Sequence, residues 1–185
     1  VRPASPRGWD FPMRTVIATR AVLVALAVAV GMILAHIPNV EGMSAVCFFA
    51  GYLTDWRSGG LIGGMSMVLL SLLNPLGPAP PPVFAAQVLG MAVVGSAGAL
   101  LRRLGPAGPR AGIAAMGFGA VLTVLYDALT NYGVAVSVGR WLDPWAIMIA
   151  GAPFALLHTV TNTMIFGAVG ALLARRYACP RGGTR

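Results

Sequence analysis

Residues 21–35 read AVLVALAVAVGMILA, without one charged side chain, and apolar runs recur along most of the chain. Inside a bilayer no water reaches the backbone, so every N–H and C=O must find its partner within the chain. A continuous apolar run meets that demand as a helix. This requirement predicts an all-α bundle embedded in a membrane. Composition agrees: 57% of residues are apolar and 10% are charged, against about 25% charged in soluble domains.

The runs divide into six spans, at residues 18–37, 42–53, 61–73, 84–101, 111–138 and 145–173. Spans 2 and 3 fall short of the ~20 residues that cross a bilayer comfortably. They read either as short helices meeting a thin region or as a re-entrant pair turning at residues 55–60. A six-helix membrane domain is expected over 14–176, with tails at 1–13 and 177–185. Arg14 and Arg20 before the first run give it the outline of a signal peptide. No small-x-small cleavage site follows, so the run reads as a retained span.

The net charge of +8 comes wholly from arginine, since the chain has no lysine. In a soluble protein that balance would point to nucleic acid. Here the arginines flank apolar runs and read as topology signals. Arg2, Arg7, Arg14, Arg20, Arg57, Arg102, Arg103, Arg110, Arg175, Arg176, Arg181 and Arg185 all fall on one side of a six-span arrangement, and Arg140 alone falls on the other. Both termini are therefore expected in the cytoplasm. The loops at 36–41, 74–83 and 139–144 then face outward. The second of these holds Pro75, Pro78, Pro80, Pro81 and Pro82. It reads as a stiff rim or lid, or as a rigid connector.

Polar side chains within spans are costly and generally face a bundle interior or a cavity. Span 5 carries Thr123, Asp127, Thr130 and Asn131 at i, i+4, i+7 and i+8, on one helical face, with Tyr126 beside them. Span 6 carries His158, Thr161 and Asn162 at i, i+3 and i+4. Gln87 lies one turn into span 4. Asn39 and Glu41 precede span 2, and Asn74 closes span 3. All of them collect at the outer end of the bundle. Two readings stay open: a pocket for a small polar ligand, or hydrogen bonds that merely join helices, worth roughly 1 kcal/mol each.

In span 1, Ala21, Ala25 and Ala29 repeat every four residues, a stripe that lets another helix approach closely. Ala27, Gly31 and Ala35 form a second stripe, so the register is open. Gly59, Gly60, Gly63 and Gly64 suggest close packing around span 3. Cys47 and Cys179 are too few and too far apart for a disulfide framework or a metal site. No Walker phosphate loop, HExxH or GxSxG motif occurs. His158 and Asp127 could form an acid–base pair, but no activated nucleophile accompanies them. No cofactor and no catalytic residue is expected.

The phrases IPNVEGMSAVCFFAGYL (37–53), SLLNPLGPAPPPVFAAQVLGM (71–91), LYDALTN (125–131) and PFALLHTVTNTMIFG (153–167), with six short spans and the alanine stripe, resemble the substrate-binding subunits, or S components, of energy-coupling factor (ECF) transporters. The resemblance covers residues 14–176. It implies a non-enzymatic subunit of an ABC-type importer in the bacterial cytoplasmic membrane. Such a subunit captures a vitamin or related micronutrient from outside, while a transmembrane coupling subunit and two cytoplasmic ATPases supply the energy. It implies that Ala21, Ala25 and Ala29 dock the coupling subunit and that outer loops close over the ligand. Asn39, Glu41, Asn74, Gln87, Tyr126, Asp127, Asn131, His158 and Asn162 are the expected substrate contacts. Glu41 and Asp127 would suit a cationic group, and Tyr126, Tyr132 and Trp141 are candidates to stack on a ring. The alternatives are an intramembrane enzyme using His158 and Asp127, and a structural membrane protein without ligand.

Overall fold

A computed structural model describes residues 13–74, 77–106 and 109–177. Pro75, Arg2, Arg7, Arg181, Arg185 and Cys179 lie outside the described residues, as do most of both expected tails. Six helices follow one another: α1 (Met13–Leu34), α2 (Met43–Leu53), α3 (Trp56–Leu73), α4 (Pro81–Leu104), α5 (Pro109–Ser137) and α6 (Trp145–Tyr177). No strand occurs among the described residues. Five of the helices are long and apolar enough to cross a membrane, and α2 is not. Their exposed faces carry large apolar side chains such as Val22, Ile33, Leu72, Val121, Ile149 and Leu172, as lipid contact requires.

The short helix is the centre of the bundle. The eleven residues of α2 rise only ~16 Å, about half of a ~30 Å hydrocarbon layer. Eight of them are buried, and α2 packs against α1, α3, α4 and α6. Phe48 meets Phe118 of α5 and Phe166 of α6 at ring-centroid distances of 5.4 and 5.0 Å. Because α2 stops short, the segment leading into it descends between the other helices. Gly42 there is buried, and a side chain on it would strike Val30 and Leu34 of α1. Irregular backbone at this depth is tolerated where protein or a water-filled cavity surrounds it.

The turn between α2 and α3 is tighter than the 55–60 stretch read from sequence. Only Thr54 and Asp55 leave the helices, and Trp56 already begins α3. Asp55 is the reason. Its Oδ1 accepts from the N–H groups of Arg57 (2.9 Å) and Ser58 (3.0 Å), which satisfies the open donors of the first turn. Residues 59–64 therefore lie within a helix. Gly59 and Gly63 press on the backbone of α4 at Gly95 and Met91, and Gly51 of α2 meets the same Gly95 carbonyl. Any Cβ at those positions would collide with backbone, so α2, α3 and α4 meet at van der Waals distance only because the glycines lack one.

The proline-rich loop is also shorter than its sequence suggests. Pro81 and Pro82 occupy the first turn of α4, where a missing N–H costs nothing and the fixed φ suits a helix. Pro78, Ala79 and Pro80 are non-helical. The segment is thus partly a helix start and partly a stiff connector.

The two stripes of α1 differ at Ala27 and Gly31, while Ala35 lies past the end of the helix and is exposed. Ala27 is fully buried against α2 and α3, and Gly31 faces Leu70. Ala21, Ala25 and Ala29 remain exposed and line an apolar groove of about 700 Å³ between α1 and α3, with Leu61, Met65, Leu69 and Leu73 opposite.

Candidate functional site

Above the buried start of α2 lies a cavity of about 360 Å³, toward the lower end of the ~300–1,000 Å³ usual for small-ligand sites. Asn39 and Glu41 reach it from the segment before α2, Asn74 from the end of α3, Gln87 from α4, Tyr126 from α5 and His158 from α6. Six of the nine expected contacts therefore meet around one space. Leu34, Ile37, Val40, Met43, Met67 and Leu70 give the remaining wall an apolar character.

Asp127 and Asn162 stand behind His158. Asp127 Oδ1 lies 2.8 Å from His158 Nδ1. A carboxylate only accepts, so Nδ1 donates. Asn162 Nδ2 lies 3.0 Å from His158 Nε2 and 3.1 Å from Thr123 Oγ1. Glu41 Oε2 lies 3.4 Å from the same Nε2, and its Oε1 accepts from the N–H of Ser44 (2.8 Å). One imidazole thus ties α5, α6 and the start of α2 together. Its ring is also edge-on to Tyr126, with centroids 6.4 Å apart. Tyr126 can pack closely against α4 because Gly90 leaves room for its ring.

Asn131 is not part of this cluster. It packs against Gly151 of α6, nearer the C-terminal end of α5. Thr130 returns its hydroxyl to the carbonyls of Tyr126 and Asp127. Tyr132 and Trp141 are exposed and do not line the cavity.

The structure adds contacts that spacing alone did not reveal. Thr161 Oγ1 donates to the carbonyl of Asn39 at 2.8 Å, which pins the descending segment to α6. Asn39 itself sits at φ 59°, a left-handed conformation that asparagine tolerates better than most residues. The sequence does not single out Ser71 and Ser44, because a lone serine in an apolar run carries little signal. Ser71 lines the cavity. Ser44 lines a void of about 10 Å³ beneath it, with Thr123 and Asn162, the size that about one water fills. Ser44 Oγ, Asn162 Oδ1 and Asp127 Oδ2 are buried there or beside it without a hydrogen-bond partner. Among the described residues no cluster of His, Cys, Asp or Glu has the make-up of a metal centre.

Neither curated proteins nor solved structures yield a match to the chain. One family model does match, over residues 15–170, and it is described as the substrate-specific component of ECF transporters. The matched stretch runs from the first turn of α1 well into α6, so it takes in the cavity, the His158 cluster and the α1–α3 groove alike. This multi-pass helical membrane protein therefore belongs to the family of ECF transporter substrate-specific components, the S components.

Proposed function

We propose that this chain captures a small water-soluble vitamin or related micronutrient at the cavity above α2 and delivers it through an ABC-type importer. One observation carries the reading. Side chains from five separate segments, among them Glu41, Gln87 and His158, converge on one cavity, at the end of the bundle opposite Arg57, Arg102 and Arg175. By the arginine rule that end faces outward and both termini face the cytoplasm. The host membrane is then the bacterial cytoplasmic membrane.

Family members are transporter subunits, and the chain holds no phosphate loop of its own. Energy must come from partners: a transmembrane coupling subunit and two ATPases. The open stripe of Ala21, Ala25 and Ala29 is the surface proposed for the coupling subunit, since small side chains there let a partner helix approach closely. An enzymatic role for His158 and Asp127 is less well supported, because among the described residues the ring's hydrogen-bond partners are Asp127 and Asn162 and not a hydroxyl or thiol. A purely structural role leaves the cavity unexplained.

The test is to purify the protein in mild detergent, release bound molecules by denaturation and identify them by mass spectrometry. Uptake of the identified molecule is then measured in cells with and without a co-expressed coupling module. Release of a micronutrient and module-dependent uptake are expected. A released molecule whose uptake is the same with and without the protein and its module would exclude the capture role.

A further inference from the structure

Four acidic residues fall within the described part of the chain: Glu41, Asp55, Asp127 and Asp143. Two are accounted for. Asp55 caps α3, and Asp143 pairs with Arg140 at 3.2 Å. The other two flank His158, Glu41 at the wall of the cavity and Asp127 behind it, and among the described residues no arginine lines that cavity. In a chain of net charge +8, negative charge is in excess at this outward cavity among the described residues.

The imidazole does not cancel it. With Nδ1 donating to Asp127, Nε2 either accepts from the Asn162 amide in the neutral ring or donates to Glu41 in the imidazolium. Two carboxylates exceed the ring's charge by two when it is neutral and by one when it is an imidazolium, so the surplus is negative in both states. His158 is therefore committed to carboxylates and is not free to pair with an anionic ligand. The Glu41 side chain is only partly exposed, so a ligand that closes over it leaves a carboxylate without a full counter-charge, which is costly, and a ligand that brings a positive charge lowers that cost. Tyr126 offers an aromatic wall beside the same charge, which favours cations further. The remaining wall is apolar and the volume is small.

We propose that the cavity takes a small organic monocation, a protonated amine or an N-alkylated heteroaromatic ring, with its charge against Glu41 and its apolar body between α1 and α3. Amide groups of Asn39 and Gln87 at the wall then meet its polar substituents. The proposal rests on the reading of this cavity as the capture site.

Three probes share one ring and differ in charge: benzyltrimethylammonium, benzyl alcohol and benzoate. Their binding to the purified full-length protein in nanodiscs is measured by calorimetry at pH 7.5, beside the mass-spectrometric identification of any co-purified molecule. The cation is expected to bind at least ~10-fold more tightly than the alcohol, with benzoate weakest, and Glu41→Gln is expected to remove that advantage. Benzoate or benzyl alcohol binding as tightly as the cation overturns the proposal but leaves the capture site standing. The same holds for a co-purified molecule that is neutral or anionic. If the probes fail but the co-purified molecule is a cation, the proposal stands. If no probe binds and nothing co-purifies, both the cation assignment and the capture site fall. The wild-type comparison of the three probes does not depend on whether Glu41→Gln folds.

Discussion

His158 Nδ1 lies 2.8 Å from Asp127 Oδ1, and this contact joins the two longest helices of the bundle directly behind the cavity. It repeats one turn deeper as Asn162 to Thr123, at 3.1 Å. Polar residues that spacing placed on single faces of α5 and α6 therefore meet each other as a short ladder. One rung, His158, also reaches the cavity.

That ladder makes a graded prediction. His158→Ala leaves two carboxylates, Asp127 and Glu41, without their shared partner. Each orphaned polar group typically costs about 1–3 kcal/mol, so thermal unfolding in detergent should occur at clearly lower temperature. Asp127→Asn keeps the shape and an oxygen acceptor, and should destabilise less. It should nonetheless weaken ligand binding, because it alters the charge behind the imidazole. Equal melting temperatures for wild type and His158→Ala would show that the cluster holds nothing together.

The two stripes of α1 should respond differently to the same change. Ala25→Trp extends into the open groove, so folding and ligand binding should survive while coupled uptake is lost. Ala27→Trp forces a large ring into a fully buried site, where overpacking costs about 1–3 kcal/mol or more. Expression and melting temperature separate the two, and a transport assay with the coupling module reads the first. If Ala25→Trp transported normally, the groove would not be the docking face.

Asp55 supplies a pH dependence. Burial pushes its carboxyl upward, but the Ser58 hydroxyl, the N–H groups of Ser58 and Arg57 and the charge of Arg20 outweigh it, and the group sits below its ordinary value. A lowered folded value means that the charged cap stabilises fully above the unfolded value, about 3.9. That stabilisation is lost as pH falls through the folded value. Asp55→Asn can still cap α3 but cannot titrate. Its melting temperature should therefore vary less than that of the wild type below about pH 4. Asp55→Ala should lose about 0.5–2 kcal/mol at neutral pH.

Topology is tested by labelling in a Cys47→Ser, Cys179→Ser background. An impermeant thiol reagent applied to intact cells should modify Ala79→Cys, beside the cavity, and spare Leu104→Cys, at the arginine end of α4. The opposite pattern would invert the orientation and place the cavity in the cytoplasm.

The all-helical membrane bundle was legible in the sequence, because backbone hydrogen bonding in lipid permits long apolar runs little else. The arginine bias at one set of helix ends was equally plain, and so was the polar face of α5. These are local properties, set by composition and by the 3.6-residue period. What the sequence left open was every choice that depends on a second element. Two alanine stripes of α1 are chemically alike, and only the packing of Ala27 and Gly31 against α2 and α3 leaves Ala21, Ala25 and Ala29 outside. Nothing in the order of residues says that Asp127 stands behind His158 while Glu41 stands before it, or that Asn131 turns toward Gly151 instead. Those placements follow from the antiparallel register of α5 on α6 and from the short α2, which draws the 36–42 segment down into the bundle. The sequence determined which side chains must avoid lipid, and the tertiary structure alone decided which of them face the cavity, because a polar group gains as much from a neighbouring helix as from a ligand.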